Sequence, residues 1–194
     1  MALADRHLFE PDLPDGFQYR TGVVSAEEEA DLAARFSALE FSAFEMRGVV
    51  ARRRVAFFGW AYDSGGAAPP PIPDFLLPLR ERVARWAAVD PAAFAMALVN
   101  EYRPGAPIGW HRDAPQYEMV AGVSLLSPCR MKLRPYVSPK DAASGGSRRR
   151  ATHEITLEPR SGYLMAGEAR HHYEHHIPAV GALRYSVTFR TRRV

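Results

Sequence analysis

Residues 100–113 read NEYRPGAPIGWHRD, and this segment carries the pattern that decides the fold and the chemistry of the chain. Side chains two positions apart on a β-strand point to the same face of the strand. His111 and Asp113 therefore present an imidazole and a carboxylate on one side, where both can bind a single metal ion. With a second histidine from elsewhere in the chain, they would form a two-histidine, one-carboxylate metal site that leaves coordination positions open.

The C-terminal residues 183–190, LRYSVTFR, alternate between apolar and polar side chains. This alternation predicts a half-buried strand. Its polar face carries Arg184, Ser186, Thr188 and Arg190. Arginines on such a face are commonly no more than solvated. The combination also suits a pocket that binds a dicarboxylate, because a guanidinium group can form two parallel hydrogen bonds with a carboxylate.

A third segment, residues 171–176, reads HHYEHH and offers four histidines as the second metal-binding imidazole. In an extended segment, neighbouring side chains point to opposite faces, so His175 and His176 cannot both face one metal ion. His171 shares its face with His175, and His172 shares its face with His176. The periodicity alone leaves both pairs open.

These motifs, in this order and spacing, resemble those of the AlkB-like Fe(II)/2-oxoglutarate dioxygenases. That family carries Asn-x-Tyr, His-x-Asp, a distal histidine and Arg-x5-Arg. Here the motifs correspond to residues 100–102, residues 111–113, one histidine of 171–176, and residues 184–190. The resemblance spans about residues 47–192 and implies an oxidoreductase that uses Fe(II), 2-oxoglutarate and O2.

The resemblance also implies roles for individual side chains. Iron would be held by His111, Asp113 and the distal histidine. The 2-oxoglutarate pocket would consist of Asn100, Tyr102, Arg184, Ser186 and Arg190. In that pocket Arg184 would pair with the distal carboxylate with help from Tyr102, whereas Arg190 and Asn100 would lie nearer the iron. Ser186 stands where relatives often carry asparagine, a departure that leaves the pocket plausible.

The distal histidine of the family usually precedes a small residue, a hydrophobic residue and often a proline. Taking His175 as the ligand places His176 in the small-residue position and Ile177-Pro178 after it. We therefore predict His175 as the third iron ligand, with His176 as the alternative. His171 and His172 are expected at the surface or beside the ligands.

Composition fits a soluble enzyme: the chain has 194 residues, 47% of them hydrophobic and 24% charged, and a formal net charge of +3. We predict one domain over residues 1–194, with an irregular lead-in over residues 1–22. No apolar run approaches the ~20 residues needed to span a bilayer, and the start lacks a secretory signal. The single cysteine, Cys129, fits a buried thiol in a reducing compartment. Together these features predict a cytoplasmic monomer with no membrane association and no obligate protein partner.

Periodicity predicts an α+β fold that is mainly β. Helices are expected over residues 25–39, opened by a capping box at Ser25, and over residues 73–89, followed by a short turn capped by Asp90. Residues 44–62 are predicted to form a β-ribbon that resembles the lid covering the nucleotide in AlkB-like proteins. Eight short strands follow, over residues 95–102, 108–113, 118–126, 130–136, 153–158, 162–166, 173–177 and 183–192. This order predicts a double-stranded β-helix, or jelly roll, with the N-terminal helices packed against one sheet.

Three clusters of arginine favour a nucleic-acid partner, because basic side chains attract phosphates independently of base sequence. The clusters are Arg52-Arg53-Arg54, Arg148-Arg149-Arg150 and the group within residues 190–193. Arginine-rich surfaces also arise without any such partner, so the family resemblance carries most of this expectation. It points to alkylated DNA or RNA.

Trp60 and Tyr62 share one face of the predicted ribbon, in the region where AlkB-like proteins cover the nucleotide. A base in a duplex reaches an active site only when it is flipped out and stacked on aromatic or apolar groups. We predict that Trp60 and Tyr62 provide this stacking surface, with the core of the ribbon as the alternative place for both. Phe58 shares their face but is expected to pack inward. Pro115 is a departure, because DNA-repair members often carry there an acidic residue that reads the flipped base.

The function implied by the resemblance is oxidative N-demethylation of alkylated bases in DNA or RNA, with release of formaldehyde, succinate and CO2. Pro115 leaves open an AlkB-like hydroxylase or demethylase that acts on a protein or a small molecule. A non-catalytic nucleic-acid-binding relative and a cupin-like barrel that binds metal for another purpose are further alternatives. The complete sets of metal-binding and dicarboxylate-binding residues favour an enzyme over these last two.

Overall fold

Two antiparallel β-sheets and three helices make up the computed structural model, which describes residues 13–46, 49–60, 69–138 and 151–193. The strands are β1 (Phe17–Arg20), β2 (Ser42–Met46), β3 (Val49–Gly59), β4 (Phe94–Tyr102), β5 (Ile108–His111), β6 (Tyr117–Leu125), β7 (Cys129–Pro135), β8 (His153–Leu157), β9 (Ser161–Met165), β10 (Tyr173–Ile177) and β11 (Arg184–Arg192). The helices are α1 (Ala26–Ser37), α2 (Leu77–Ala87) and α3 (Gly167–His171). Within these described ranges, none of the helices has the length and apolar character needed to cross a membrane.

The described strands divide into a larger sheet of seven and a smaller sheet of four. The larger sheet has the order β1-β9-β6-β11-β4-β3-β2, and the smaller has the order β5-β10-β7-β8. All neighbouring strands run antiparallel. Apolar side chains from both sheets, among them Val120, Met131 and Leu157, form a shared core. This is the mainly-β, two-sheet arrangement predicted from the strand pattern.

The central strands β4 and β11 send alternate side chains to the two faces of the larger sheet. Their register pairs Asn100 with Ser186 and Val99 with Val187. The two valines belong to the core under the helices. Asn100 and Ser186 instead line a cavity on the other face. The polar face predicted for residues 183–190 is therefore directed into the molecule and not into solvent.

Helices α1 and α2 cover the outer face of the larger sheet, where Leu32, Phe36 and Val83 join its core. The predicted capping box opens α1. Ser25 Oγ accepts a hydrogen bond from the Glu28 amide at 3.2 Å, and the Ser25 amide donates to the Glu28 carboxylate at 2.8 Å. These bonds satisfy amide groups that the start of a helix leaves unpaired. The predicted packing of N-terminal helices on one sheet is confirmed.

The second predicted helix, residues 73–89, begins as a 3₁₀ turn and continues as α2. Pro78 lies in its first turn, where the missing N–H removes no helical hydrogen bond. The helix stops at Ala88, whose φ of 54° is left-handed and cannot continue the helix. Asp90 then accepts a hydrogen bond at 2.7 Å from the amide two residues further on, as predicted for the cap of a short turn.

The irregular lead-in predicted for residues 1–22 is wrong for its last part, which forms β1. This strand pairs with β9 from Phe17 opposite Met165 to Arg20 opposite Gly162. A four-residue strand offers too little alternation to be recognised in the sequence, and it exists because β9 presents an edge that it can pair with. Residues 1–12 lie outside the described residues.

The ribbon predicted over residues 44–62 consists of β2 and β3, but it does not stand apart from the sheets. β3 pairs with β4 from Arg54 opposite Glu101 to Gly59 opposite Met96, so the ribbon extends the larger sheet. Tyr62 and the arginine cluster at residues 148–150 fall outside the described residues.

An ion pair between Glu28 of α1 and Arg82 of α2 links the two helices. Arg82 donates to both carboxylate oxygens, at 2.8 Å and 2.6 Å. These hydrogen bonds, followed by the one from the Ser25 amide, lower the pKa of Glu28 from 4.5 to about 2. Because the folded pKa lies below the unfolded value, the pair stabilises the fold above the unfolded pKa, and this contribution is lost as the pH falls towards 2.

We expect Glu28→Gln to lower the free energy of unfolding at pH 7 by about 1 kcal/mol or less, because an ion pair this exposed is strongly screened by solvent. The side chains of Arg82 and Glu28 are 40% and 43% exposed. Urea unfolding of both proteins at neutral pH and at about pH 3 measures the effect, and the difference should shrink at the lower pH. Glu81→Gln, at an exposed position of α2, is the matched control. A difference that does not change with pH would contradict the prediction.

Candidate active site

Neighbouring strands of the smaller sheet bring the predicted metal ligands together. His111 is the last residue of β5 and lies opposite His175 of β10, and Asp113 follows two positions after His111. One ligand atom from each residue lies within 4.8 Å of the other two. The three side chains line one cavity between the sheets. They form a possible metal site with two imidazoles and one carboxylate.

Both imidazoles are in the form that binds a metal ion. His111 Nδ1 lies 2.9 Å from the Gly109 carbonyl oxygen, which accepts its proton and leaves the lone pair on Nε2. Burial, together with the nearby His111 ring, lowers the pKa of His175 to about 3. Burial also lowers the pKa of His111. Neither histidine therefore has to lose a proton at neutral pH before it can bind a metal.

Asp113 is ionised, and one of its two carboxylate oxygens has no hydrogen-bond partner in the described part of the chain. Its Oδ1 accepts two hydrogen bonds from Arg190, at 3.0 Å and 2.7 Å. Burial alone would raise the pKa of Asp113, but the opposing influence of nearby positive charge, Arg190 first, holds it below its usual range. Its Oδ2 is buried 3.9 Å from the Nε2 of neutral His175 and has no hydrogen-bond partner among the described residues. Because such an oxygen is costly to leave unpaired, this arrangement fits a metal ligand.

Arg184 lies at the other end of the cavity and is only 1% exposed. Its Nε donates to Ser124 Oγ at 3.0 Å, and its guanidinium carbon lies 4.8 Å from the centre of the Tyr102 ring. Its Nη1 is buried without a hydrogen-bond partner in the described part of the chain. A buried guanidinium group needs an acceptor, and a carboxylate of a bound molecule would supply one.

Asn100, Ser186 and Arg190 continue this polar wall towards the metal ligands. Asn100 Nδ2 lies 3.5 Å from Ser186 Oγ, and Arg190 Nη1 donates to Thr188 Oγ1 at 2.8 Å. The cavity has a volume of about 490 Å³, within the range of roughly 300–1,000 Å³ that is typical of small-molecule sites. All five residues predicted to bind 2-oxoglutarate line the same cavity as the three predicted iron ligands. Their individual binding roles stay predictions.

The structure distinguishes between the two candidates for the third ligand. His176 directs its Nδ1 to a backbone carbonyl oxygen at 2.5 Å and stacks on Trp110, with ring centres 5.1 Å apart. Neighbouring residues of a strand face opposite ways, so this places His176 on the side of β10 away from His175. His171 and His172 are not part of the ligand cluster. The geometry therefore favours His175.

The first arginine cluster does not form one exposed surface, so the prediction of three side chains facing a phosphate backbone needs correction. Arg52 is exposed. Arg54 forms two hydrogen bonds of 2.8 Å with the carboxylate of Glu101 on the neighbouring strand. Arg53 is 7% exposed, lines the cavity and lies 3.3 Å from Asn100 Oδ1. Successive side chains of β3 alternate between faces, and this directs the middle arginine between the sheets.

Trp60 supports the wall of the cavity and is not one of its lining residues. Its ring meets the ring of Tyr117 edge-on at 5.8 Å, and Arg192 lies over it at 4.7 Å. With these contacts Trp60 offers less free surface for a base than the sequence predicts. Phe58 is buried beneath the helices, as expected. Tyr62 is outside the described residues.

Several cavity residues were not singled out from the sequence, among them Phe57, Tyr117 and Arg112. Phe57 and Tyr117 give the outer part of the cavity aromatic surface. Arg112 is exposed, and its guanidinium carbon lies 3.5 Å from the centre of the Tyr136 ring. The alternation that sends Phe58 to the core also predicts that Phe57 faces the other way. The sequence pattern did not predict that Tyr117 lines the cavity, because the position of this side chain depends on the pairing of β6 with β11.

Comparison with known proteins places this geometry among oxygenases. The model of the 2OG-Fe(II) oxygenase superfamily matches residues 61–193. The "Alkylated DNA repair protein ALKBH8 homolog" of Arabidopsis thaliana is 29% identical, over 87% of this chain and 52% of the relative. The chain thus spans about half the length of that curated relative.

Solved structures share the fold at low sequence identity. One is OsALKBH1, with a TM-score of 0.66 and 17% identity over 92% of this chain and 99% of that chain. A Pseudomonas putida prolyl-4-hydroxylase has a TM-score of 0.59 and 14% identity over 92% of this chain and 94% of that chain. The non-heme alpha-ketoglutarate-dependent epimerase SnoN from nogalamycin biosynthesis has a TM-score of 0.60 and 17% identity over 90% and 76% of the respective chains.

Proposed function

Because the chain belongs to the 2OG-Fe(II) oxygenase superfamily, we propose that it removes alkyl groups from bases of DNA or RNA by oxidation. Membership makes the chain an oxidoreductase that uses Fe(II), 2-oxoglutarate and O2, which confirms the enzyme class and the cofactors predicted from the motifs. The likeness to the ALKBH8 homolog and to OsALKBH1 agrees with the predicted AlkB-like character.

In this proposal His111, Asp113 and His175 hold the iron. The inner polar wall holds 2-oxoglutarate, with Arg184 and Tyr102 at its distal carboxylate. Asn100, Ser186 and Arg190 would contact the rest of that molecule. Arg190 has a second task, because its two hydrogen bonds to Asp113 Oδ1 fix the carboxylate so that Oδ2 is presented beside the imidazoles. Positioning of this kind is the contribution that a protein makes to cofactor chemistry.

When bound, iron and 2-oxoglutarate with O2 supply the oxidation: one oxygen atom enters a C–H bond of the substrate, the other ends in succinate, and carbon dioxide leaves. For a substrate N-methyl group, the product is an N-hydroxymethyl group. Its C–N bond then breaks to release formaldehyde, and the hydroxyl proton returns to the nitrogen. The base is restored without loss of any of its own atoms.

The observation that carries the proposal is the two-part character of the cavity. Beyond the metal ligands it continues into a region lined by Phe57, Met96 and Tyr117, where a flat ring can be accommodated between apolar side chains. Arg112 lines the same cavity and is exposed, so it can meet a phosphate. A flat base joined to a charged backbone matches an apolar recess with a basic rim. The name of the Arabidopsis relative, an alkylated DNA repair protein, supports the same substrate class.

We expect the protein, supplied with Fe(II), 2-oxoglutarate and O2, to release formaldehyde from N-methylated DNA or RNA oligonucleotides. After the uncoupled rate is subtracted, formaldehyde and succinate should form in equal amounts, because each demethylation consumes one 2-oxoglutarate. Unmethylated oligonucleotides of the same sequence are the control and should yield succinate only at the uncoupled rate. If no methylated oligonucleotide binds or stimulates turnover, the nucleic-acid proposal fails, and methylated peptides and small molecules become the substrates to test.

A further inference from the structure

Asp113 lies outside the strand pairing that positions the two histidines of the site. β5 ends at His111, and its pairing with β10 sets His111 opposite His175. Asp113 comes after the end of β5, in the segment of residues 112–116 that leads to β6. Its backbone therefore does not share in the strand pairing that fixes the imidazoles. Other contacts have to set the distance between this carboxylate and the two rings.

Arg170 provides such contacts with the backbone of this segment. Its Nη2 donates hydrogen bonds to the carbonyl oxygens of Asp113, Ala114 and Tyr117, at 3.3, 2.6 and 2.7 Å. Arg170 is only 4% exposed. A buried guanidinium group needs acceptors, and hydrogen bonds from a charged donor are stronger than those between neutral groups. One buried cation thus holds three carbonyl groups in and next to the segment that carries Asp113.

Arg170 is itself fixed by the helix to which it belongs. It lies on α3, which leads directly into β10, the strand that carries His175. The amide of Ala169, also on α3, donates to the carbonyl oxygen of Asp15 at 2.8 Å and so ties the helix to the turn before β1. The side chain of Arg170 therefore joins the segment that carries Asp113 to the segment that carries His175.

Arg170 and Arg190 contact Asp113 in different ways. Arg190 donates to the side-chain oxygen Oδ1, whereas Arg170 donates to the backbone carbonyl oxygen. Arg190 lines the cavity, but Arg170 is not one of its lining residues. Arg170 is therefore not placed to contact a bound metal ion, 2-oxoglutarate or substrate. Any effect that it has on the site passes through the residues that it holds.

We propose that Arg170 is a positioning residue of the metal site, which holds the backbone of Asp113 where its carboxylate and the His175 imidazole can bind the same ion. The inference rests on the metal site of the proposed function and does not depend on the substrate. Contacts that orient a ligand are worth roughly 10–100-fold in metal affinity or activity. An arginine that only stabilised the loop would change the stability of the protein and leave its metal affinity unchanged.

Arg170→Gln tests this role, because glutamine keeps a polar side chain but lacks the cation and the reach of the guanidinium group. Binding of Mn(II) is measured without 2-oxoglutarate and O2, from the loss of the electron paramagnetic resonance signal of free Mn(II). We expect the affinity to fall by about tenfold or more. The 2-oxoglutarate concentration needed for half-maximal succinate formation at saturating Fe(II) should stay close to that of the wild type, because Arg170 does not line the cavity.

Arg82→Gln is the matched control. Arg82 also donates to a backbone carbonyl oxygen, that of Val23, at 2.7 Å, but it lies on α2 at the outer face of the larger sheet. The same replacement there should lower the stability of the fold and leave the Mn(II) affinity unchanged. Thermal unfolding without metal measures the stability of both variants, and the Mn(II) titrations are made at a temperature at which both are folded.

The outcomes separate the inference from the proposed function. Wild-type Mn(II) affinity in folded Arg170→Gln overturns the inference and leaves the proposed function standing. A wild-type protein that does not bind Mn(II) overturns the metal site and both proposals with it. If Arg170→Gln does not fold, Arg170→Lys decides, because it keeps a cation on a shorter side chain that cannot reach all three carbonyl groups. A lowered Mn(II) affinity in that variant supports the inference, and wild-type affinity overturns it.

Discussion

Replacing His175 with alanine is expected to lower succinate formation more than about 100-fold, whereas His176→Ala should retain most of it. His175 Nε2 lies 3.9 Å from Oδ2 of Asp113, the oxygen that has no hydrogen-bond partner among the described residues. His176 stacks on Trp110 on the opposite side of β10. A site with three protein ligands loses both affinity and geometry when one imidazole is removed. The measurement is the initial rate of succinate formation with Fe(II), 2-oxoglutarate and O2.

Metal binding gives a readout that does not depend on turnover. Titration with Mn(II) should show weak binding for His175→Ala and nearly normal binding for His176→Ala. Thermal unfolding without metal serves as the control, because both variants remove the same ring from the same strand and a misfolded protein would be recognised there. Full activity in His175→Ala combined with none in His176→Ala would make His176 the third ligand.

The metal ligands could be predicted because they depend on short-range geometry. The spacing of His111 and Asp113, and the opposite faces of His175 and His176, follow from strand alternation before any tertiary contact is known. The fold then adds one long-range fact, the pairing of β10 with β5 that sets His175 opposite His111. The choice between His175 and His176 needed the resemblance, because alternation alone leaves two faces.

Arg53 shows where alternation stops being informative. Residues 52–54 are all arginine, so the pattern cannot say which of them faces inward. Which of the three arginines faces inward is decided by the pairing of β3 with β4, which places Val55 opposite Asn100. A run of identical residues was therefore interpreted as one surface, although the strand divides it between two.

Strand pairing is the second feature of the fold that could not be predicted from the sequence. β3 was predicted as a strand, but its place in the larger sheet depends on contacts with β4, and strand propensity carries no information about partners. β1 depends still more on its partner, because its four residues gain their order from hydrogen bonds to β9. Helix α1 was easier to predict from the sequence, because the capping box at Ser25 and the apolar stripe through Leu32 and Phe36 are local signals.

Arg184→Lys is expected to raise the 2-oxoglutarate concentration needed for half-maximal turnover by about tenfold or more. Arg184 is buried, with its Nε on Ser124 Oγ at 3.0 Å and its Nη1 without a hydrogen-bond partner within the described ranges. Part of its guanidinium group is therefore available for a carboxylate. Lysine keeps the charge but loses the planar fork of donors. Losing one hydrogen bond to a charged group costs roughly 1.5–3 kcal/mol, which is the origin of the expected factor.

Initial rates of succinate formation over a range of 2-oxoglutarate concentrations measure this effect. Arg103→Lys is the matched control: Arg103 directly follows β4, its side chain is 64% exposed and pairs with Glu101, so the same replacement there should leave the requirement unchanged. Mn(II) affinity without 2-oxoglutarate should be the same in both variants, because neither arginine contacts a metal ligand. An unchanged requirement in Arg184→Lys would mean that Arg184 does not hold the distal carboxylate. The co-substrate would then have to use Arg53 or Arg190, the other buried arginines that line the cavity.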